Sequence, residues 1–149
     1  MRISKKSQYG LGAVFELAVR NSGQPVRVSE VAAAQNIPPR FLEVILNELR
    51  HAGFVESRRG NEGGYLLARG VDELNVGEII DFLEGPFLLA EDNNGNGNSS
   101  ESYFGDLAFA QLWERVNQAA TDIFRNTSFS ELVESEKNNK GPNVSNYTI

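Results

Sequence analysis

The sequence predicts a mainly α-helical chain with one small β-hairpin, and three observations predict it. Apolar residues recur at spacings of three and four through successive segments of residues 1–86. Two short strand-like runs, Phe54 to Ser57 and Tyr65 to Leu67, flank a glycine-rich basic turn. A second long stretch of helical periodicity, Phe104 to Phe124, stands beyond an interruption rich in Asn and Gly.

Taken in order, Ser4 is placed to cap a first helix. Its apolar positions are Tyr9, Leu11, Val14, Phe15, Leu17 and Ala18, and Asn21-Ser22-Gly23 ends it. Ser29 to Gln35 reads as a short alanine-rich helix with Val31 and Ala32 inward. Asn36, a residue that tolerates a left-handed backbone, turns the chain into the next helix. Pro38-Pro39 starts that third helix, because the N–H that proline lacks has no intrahelical partner there. Phe41, Leu42, Ile45, Leu46 and Leu49 form its expected inward stripe, leaving Arg40, Glu43, Asn47 and Arg50 outside. Gly53 closes it.

The two strand-like runs that follow are joined by Arg58-Arg59-Gly60-Asn61-Glu62-Gly63-Gly64. Two helices with a tight turn, followed by a basic hairpin, make a winged helix-turn-helix. Its third helix would present side chains to base edges, and its arginines would meet phosphates or a minor groove. A glycine-rich turn alone is weak evidence, and no Lys-Ser/Thr or helix follows it as in a nucleotide loop. The conjunction is what points to DNA. The DNA-facing candidates are Lys5, Arg40, Glu43, Asn47, Arg50, Arg58, Arg59 and Gly60, with Lys6 beside Lys5.

Beyond the wing, Asn75 and Glu78 have capping-box spacing. Ile79, Ile80, Phe82 and Leu83 form the expected buried side of a fourth helix, and Gly85-Pro86 stops it. The winged domain is thus expected to span 1–86. Residues 87–103 are expected to be a flexible loop, because 91–102 are almost devoid of apolar groups. Residues 104–134 then form a long dimerisation helix and a short C-terminal helix that Ser128 and Glu131 begin, and 135–149 form a flexible tail. In the long helix, Phe109, Leu112, Trp113, Val116, Ala120 and Ile123 would pack against a symmetry mate in a homodimer. The alternative is that this helix folds back on its own core.

Charge divides the chain. Residues 1–70 hold ten Lys/Arg against six Asp/Glu, net +4, and residues 71–149 hold four against fourteen, net −10. An acidic second half cannot lie along a phosphate backbone, so it should carry partner or dimer contacts. No apolar run approaches the ~18 residues of a membrane span, and no signal-peptide pattern opens the chain. A cytoplasmic location without membrane contact is expected. Zero cysteines removes disulfides and thiolate-held metal or iron–sulfur sites. No nucleophile–base pair, metal cluster or phosphate loop suggests an enzyme, and no cofactor is expected.

Several linked stretches resemble one family, the winged helix regulators related to IscR, NsrR and CymR. They are Met1-Arg2-Ile3-Ser4 with Lys6 and Tyr9-Gly10-Leu11, then Phe41-Leu42-Glu43 and Leu49-Arg50. Arg59-Gly60 with Gly63-Gly64-Tyr65-Leu66-Leu67 follows, and then Val76-Gly77-Glu78-Ile79-Ile80 with Glu84-Gly85-Pro86. The resemblance covers residues 1–90 and continues more loosely through the long helix. It implies that Arg59 enters a minor groove and that Glu43 accepts from a cytosine amine. Pro38 stands where the family usually has a polar cap, and Val44 where glutamine commonly follows the glutamate, so base preference is expected to differ.

The family's iron–sulfur members bind their cluster through cysteines that this chain lacks, and its single His51 cannot replace them. The chain is more similar to the cysteine-free CymR-like members, which repress cysteine and sulfur genes together with cysteine synthase. That enzyme also captures the isoleucine-ended terminus of serine acetyltransferase. Tyr147-Thr148-Ile149 looks like such a terminus, so the resemblance implies cysteine synthase as a partner. O-acetylserine would compete for the same pocket. The alternatives are a tail-mediated protein that restrains a metabolic enzyme, and a regulator answering an unknown small molecule.

Overall fold

The computed structural model describes residues 2–89 and 102–140. Within them the chain forms α1 (Lys5–Val19), α2 (Val28–Gln35), α3 (Pro39–His51), β1 (Val55–Arg58), β2 (Gly64–Leu67), α4 (Val76–Leu83), α5 (Asp106–Arg125) and α6 (Phe129–Asn139). The fold class is the expected one, mainly helical with a two-stranded wing.

The local signals act where the sequence places them. Ser4 Oγ accepts from the Ser7 N–H at 3.1 Å. The Ser4 N–H donates to Glu84 Oε1 at 2.6 Å, which ties the start of α1 to the end of α4. Hydrogen bonds from Ser4 hold the Glu84 carboxyl below its ordinary range. Asn36 is left-handed, with φ 51°. Asn75 Oδ1 accepts from the Glu78 N–H at 3.0 Å while Glu78 Oε2 accepts from the Asn75 N–H at 3.3 Å, a complete capping box.

Helix α1 is the centre of the packing and touches α2, α3, α4, α6 and β2. Val14, Leu17, Val31, Leu42, Leu46, Leu49, Ile79 and Ile80 fill the core around it. Two residues expected inside are not. Phe41 is 61% exposed, because Leu42, Ile45, Leu46 and Leu49 set the rotation of α3 and leave residue 41 well outside that stripe. Phe82 is 43% exposed, with Val76, Gly77, Ile79 and Ile80 on the buried side of α4. Phe82 instead meets the Phe54 ring edge-on, with centroids 5.6 Å apart.

The chain beyond residue 86 also departs from the expected division. The turn between α5 and α6 pairs with the segment before α4. The Val76 N–H donates to Thr127 O at 2.9 Å, the Phe129 N–H to Leu74 O at 3.0 Å and the Ser130 N–H to Val71 O at 3.1 Å. Phe129 is wholly buried and Val133 nearly so, so α6 completes the winged core and α5 leads into it. Helix α6 also runs through Asn139 instead of ending at Glu134, because no breaker occurs before Gly141-Pro142. The long helix starts at Asp106 instead of Phe104, with Gly105 at φ 106° before it.

At its C-terminal end α5 lies against α4. A Cβ on Gly77 would stand 2.7 Å from Arg125 Cγ and 3.1 Å from the Arg125 nitrogen. Glycine is what permits this approach. Arg125 pairs with Asp81 at 3.2 Å, and Phe124 meets Phe87 edge-on at 6.0 Å. Most of the Asn/Gly stretch, residues 90–101, and all of 141–149, including Tyr147, Thr148 and Ile149, lie outside the described residues. Among the described residues no helix is long and apolar enough to cross a membrane.

Phe129→Ala should cost about 3–5 kcal/mol of stability, the range for emptying a buried phenylalanine site. Denaturant unfolding measures it. A loss comparable to that of an exposed residue would show that α6 is not part of the core.

Candidate nucleic-acid interface

Burial of one side of α3 decides what its other side offers. At 3.6 residues per turn, Arg40, Val44, Asn47 and His51 line up opposite the buried stripe. Glu43 and Arg50 flank that line on one side, and Phe41 and Glu48 on the other. Arg50 Nη2 donates to Asn47 Oδ1 at 2.7 Å, which leaves the Asn47 amide nitrogen as its outward donor. The carbonyl oxygen of Asn47 lies 2.8 Å from His51 Nδ1. Lys6 pairs with Glu48 at 2.8 Å and so joins the start of α1 to α3, while Lys5 stays exposed with its ammonium 5.8 Å from the Tyr9 ring centroid.

The wing is a regular antiparallel pair running from Val55 opposite Leu67 to Arg58 opposite Gly64. Arg58 and Gly64, which the sequence assigns to the turn, are therefore the last ladder pair before it. The Gly63 N–H closes on Gly60 O at 3.0 Å, which confines the turn to residues 59–63. Gly60, at φ 112°, sits in the left-handed region that glycine favours.

Two residues outside the sequence-based set hold the wing in place. Val26 and Tyr65 exchange backbone hydrogen bonds at 2.7 and 2.8 Å, so Val26 adds a third edge to the hairpin. Gly64 makes this possible, since a Cβ there would meet the Val26 carbonyl oxygen. Arg27 Nη2 donates to Asn61 O at 2.6 Å, across from α2 to the tip of the wing. The β-branched alternation Val26-Arg27-Val28 is the sequence signal that could have marked them.

Six of the chain's ten guanidinium groups divide into two sets. Arg20, Arg69 and Arg125 are paired with Glu16 at 2.7 Å, Glu78 at 2.9 Å and Asp81 at 3.2 Å. Arg40, Arg58 and Arg59 are exposed and have no acidic partner among the described residues. Cations without an acidic partner, carried on a rigid helix and a pinned hairpin, suit a polyanion. Glu43 is exposed on α3, three residues from Arg40.

Helix α5 has no fully buried residue. Phe109, Leu112, Trp113, Val116 and Ile123 are between 38% and 67% exposed, and Ala120 is half-buried. Phe109 stacks on Trp113 with centroids 6.0 Å apart.

Comparison with known proteins agrees with this architecture. A family model described as Rrf2, iron-dependent transcriptional regulator, matches residues 3–135. The HTH-type transcriptional regulator CymR of Bacillus subtilis is 33% identical over 132 residues, which cover 89% of each chain. The regulator IscR of Pectobacterium carotovorum is 28% identical over 138 residues, 92% of this chain and 82% of its own. Among solved structures, that of CymR, the global cysteine regulator of B. subtilis, superposes with a TM-score of 0.77 at 31% identity, covering 91% of this chain and 98% of that one. The IscR protein of T. potens gives 0.75 at 26% identity, with 94% and 91% covered.

Iron in the family description would be met, for an iron–sulfur cluster, by thiolates. This chain has no cysteine, and among the described residues no three His, Asp or Glu side chains converge on a metal position. The residues present do not fit such a cluster. In fold, in the order of its elements and along most of its length, this chain belongs to the Rrf2 family of transcriptional regulators, which are not enzymes.

Proposed function

We propose that this chain is a dimeric, sequence-specific DNA-binding repressor of cysteine and sulfur metabolism genes. The observation that supports the DNA reading is that Arg40 on the outer side of α3 and Arg58 and Arg59 on the wing stand exposed without acidic partners among the described residues. In this reading α3 lies in a major groove with Arg40, Glu43, Asn47 and Arg50 toward bases and phosphates. Arg59 and Gly60 reach the adjacent minor groove from the wing, Arg58 supports them, and Lys5 meets a phosphate at the start of α1.

Arg59→Ala should weaken operator binding by about 1–3 kcal/mol in a gel shift at fixed salt. An unchanged affinity would remove Arg59 from the interface.

The dimer reading is supported by the apolar face of α5, where Phe109, Leu112, Trp113, Val116 and Ile123 form an exposed row too large to leave in water. Ala120 gives the helices room to approach. A two-fold pair would give two recognition helices for a two-fold operator. Val116→Glu should weaken self-association at least tenfold, roughly 1.4 kcal/mol, in sedimentation equilibrium. A variant that associates like the parent would place the dimer contact elsewhere.

The sulfur reading rests on likeness to CymR, which is described as a global cysteine regulator. Its partner here would be cysteine synthase, engaged by Tyr147, Thr148 and Ile149, with the isoleucine side chain in an apolar slot. Calorimetric titration of cysteine synthase should show binding by the full chain that is lost without Ile149 and displaced by O-acetylserine. Heat that is the same with and without Ile149 would leave the family assignment intact and remove the tail from the mechanism.

A further inference from the structure

The outer face of α3 is not uniformly polar. Val44 is 58% exposed and Phe41 is 61% exposed. Three residues apart on a helix, they are surface neighbours with Cβ atoms about 5–6 Å apart. Val44 lies on the outward line between Arg40 and Asn47, with Phe41 beside it. Both stand in the first half of the helix, the part of a recognition helix that reaches base edges.

These side chains contribute nothing to the core, which Leu42, Ile45, Leu46 and Leu49 already fill on the opposite side. Their neighbours on the exposed face include Arg40, Glu43, Asn47 and Arg50. An apolar strip rimmed by cations and hydrogen-bonding groups suits a surface that is anionic at its edges and has an apolar group at its floor. In the major groove of DNA the apolar group on the base edges is the C5-methyl of thymine. We propose that Val44, with Phe41 packed beside it, reads thymine methyl groups and so makes base choice in the half-site depend on the methyl.

The spacing along the helix places the target. At 1.5 Å per residue Val44 is about 6 Å from Arg40 and about 4.5 Å from Asn47 along the axis, against a base-pair rise of about 3.4 Å. The thymine should therefore lie one or two base pairs from the positions those residues address. The proposal rests on the DNA-binding reading above, and the test separates the two.

Duplexes bound by the full-length protein are selected from a random pool. Each thymine of the selected half-site is then replaced in turn by deoxyuridine, which removes only the methyl, and affinity is read by fluorescence anisotropy. Loss of about fourfold is expected at one or two positions, the equivalent of ~0.8 kcal/mol for one buried methyl-sized group. Val44→Ala, a change at an exposed position, should bind the thymine and deoxyuridine duplexes alike there. The proposal is overturned if every deoxyuridine duplex binds as tightly as its parent while Arg59→Ala still weakens binding, since the DNA reading then stands without a methyl contact. A methyl effect that persists in both Val44→Ala and Phe41→Ala overturns it too, by assigning the contact to another residue. If no duplex is enriched and Arg59→Ala changes nothing, the DNA reading fails and the methyl contact fails with it.

Discussion

The rotation of α3 about its own axis is the constraint on which the proposed DNA-facing surface depends. Four side chains set it: Leu42, Ile45, Leu46 and Leu49 are at most 3% exposed and bind the helix to the core through one narrow stripe. A helix has no freedom to turn once such a stripe is buried, because a turn of one residue would bring charged side chains into the core and apolar ones out. Arg40, Val44 and Asn47 face outward as a consequence of what lies opposite them. The face is thus specified by residues that never touch a ligand.

The wing depends on a different kind of constraint. A two-stranded hairpin is marginal by itself, and this one is held from the side by Val26 through Tyr65 and from its tip by Arg27 through Asn61 O. Both contacts come from the segment that leads into α2, the first helix of the helix-turn-helix. The position of Arg59 relative to α3 is therefore set by the same segment that positions α2. Gly64 is required by this arrangement, because the Val26 carbonyl occupies the space a side chain would need.

How much of this was legible in the sequence follows from the range of the interaction. Signals complete within four residues were readable: the Ser4 cap, the Asn36 turn, the proline start of α3 and the capping box from Asn75 to Glu78 each involve neighbours in the chain. The rotation of α3 is nearly readable: Phe41 stands at helical spacing to Ile45, which puts it with the inward stripe, but its angle from Leu42, Ile45, Leu46 and Leu49 taken together puts it outside. Pairing between distant backbones leaves no periodic trace, so the Val26 edge, the Leu74 to Phe129 pairing and the place of Arg58 in the ladder were hidden. The sequence groups the short C-terminal helix with the long helix and not with the winged core for the same reason. Phe129 has serines on both sides, and it is the tertiary surroundings of Phe129 and Val133 that make them core.

That last connection determines how the two halves of the chain communicate. Helix α5 is exposed along most of its length, yet its C-terminal end is fastened by Arg125 over Gly77 and by the turn that hydrogen-bonds to Leu74 and Val76. The same turn leads into Phe129 and Val133, which pack in the core that also holds α3. No flexible linker separates α5 from the helix-turn-helix at this end, so the angle between them is a property of packing. In the proposed dimer the separation of two recognition helices must match about one turn of DNA, 34–36 Å, or a multiple of it. A shift of α5 against α4 would alter that separation in both protomers at once, by a lever running from the Gly77 contact through α1 to α3. An input that acts on α5 therefore needs no contact with DNA to change operator occupancy, only a different free energy for two arrangements of this one packed joint.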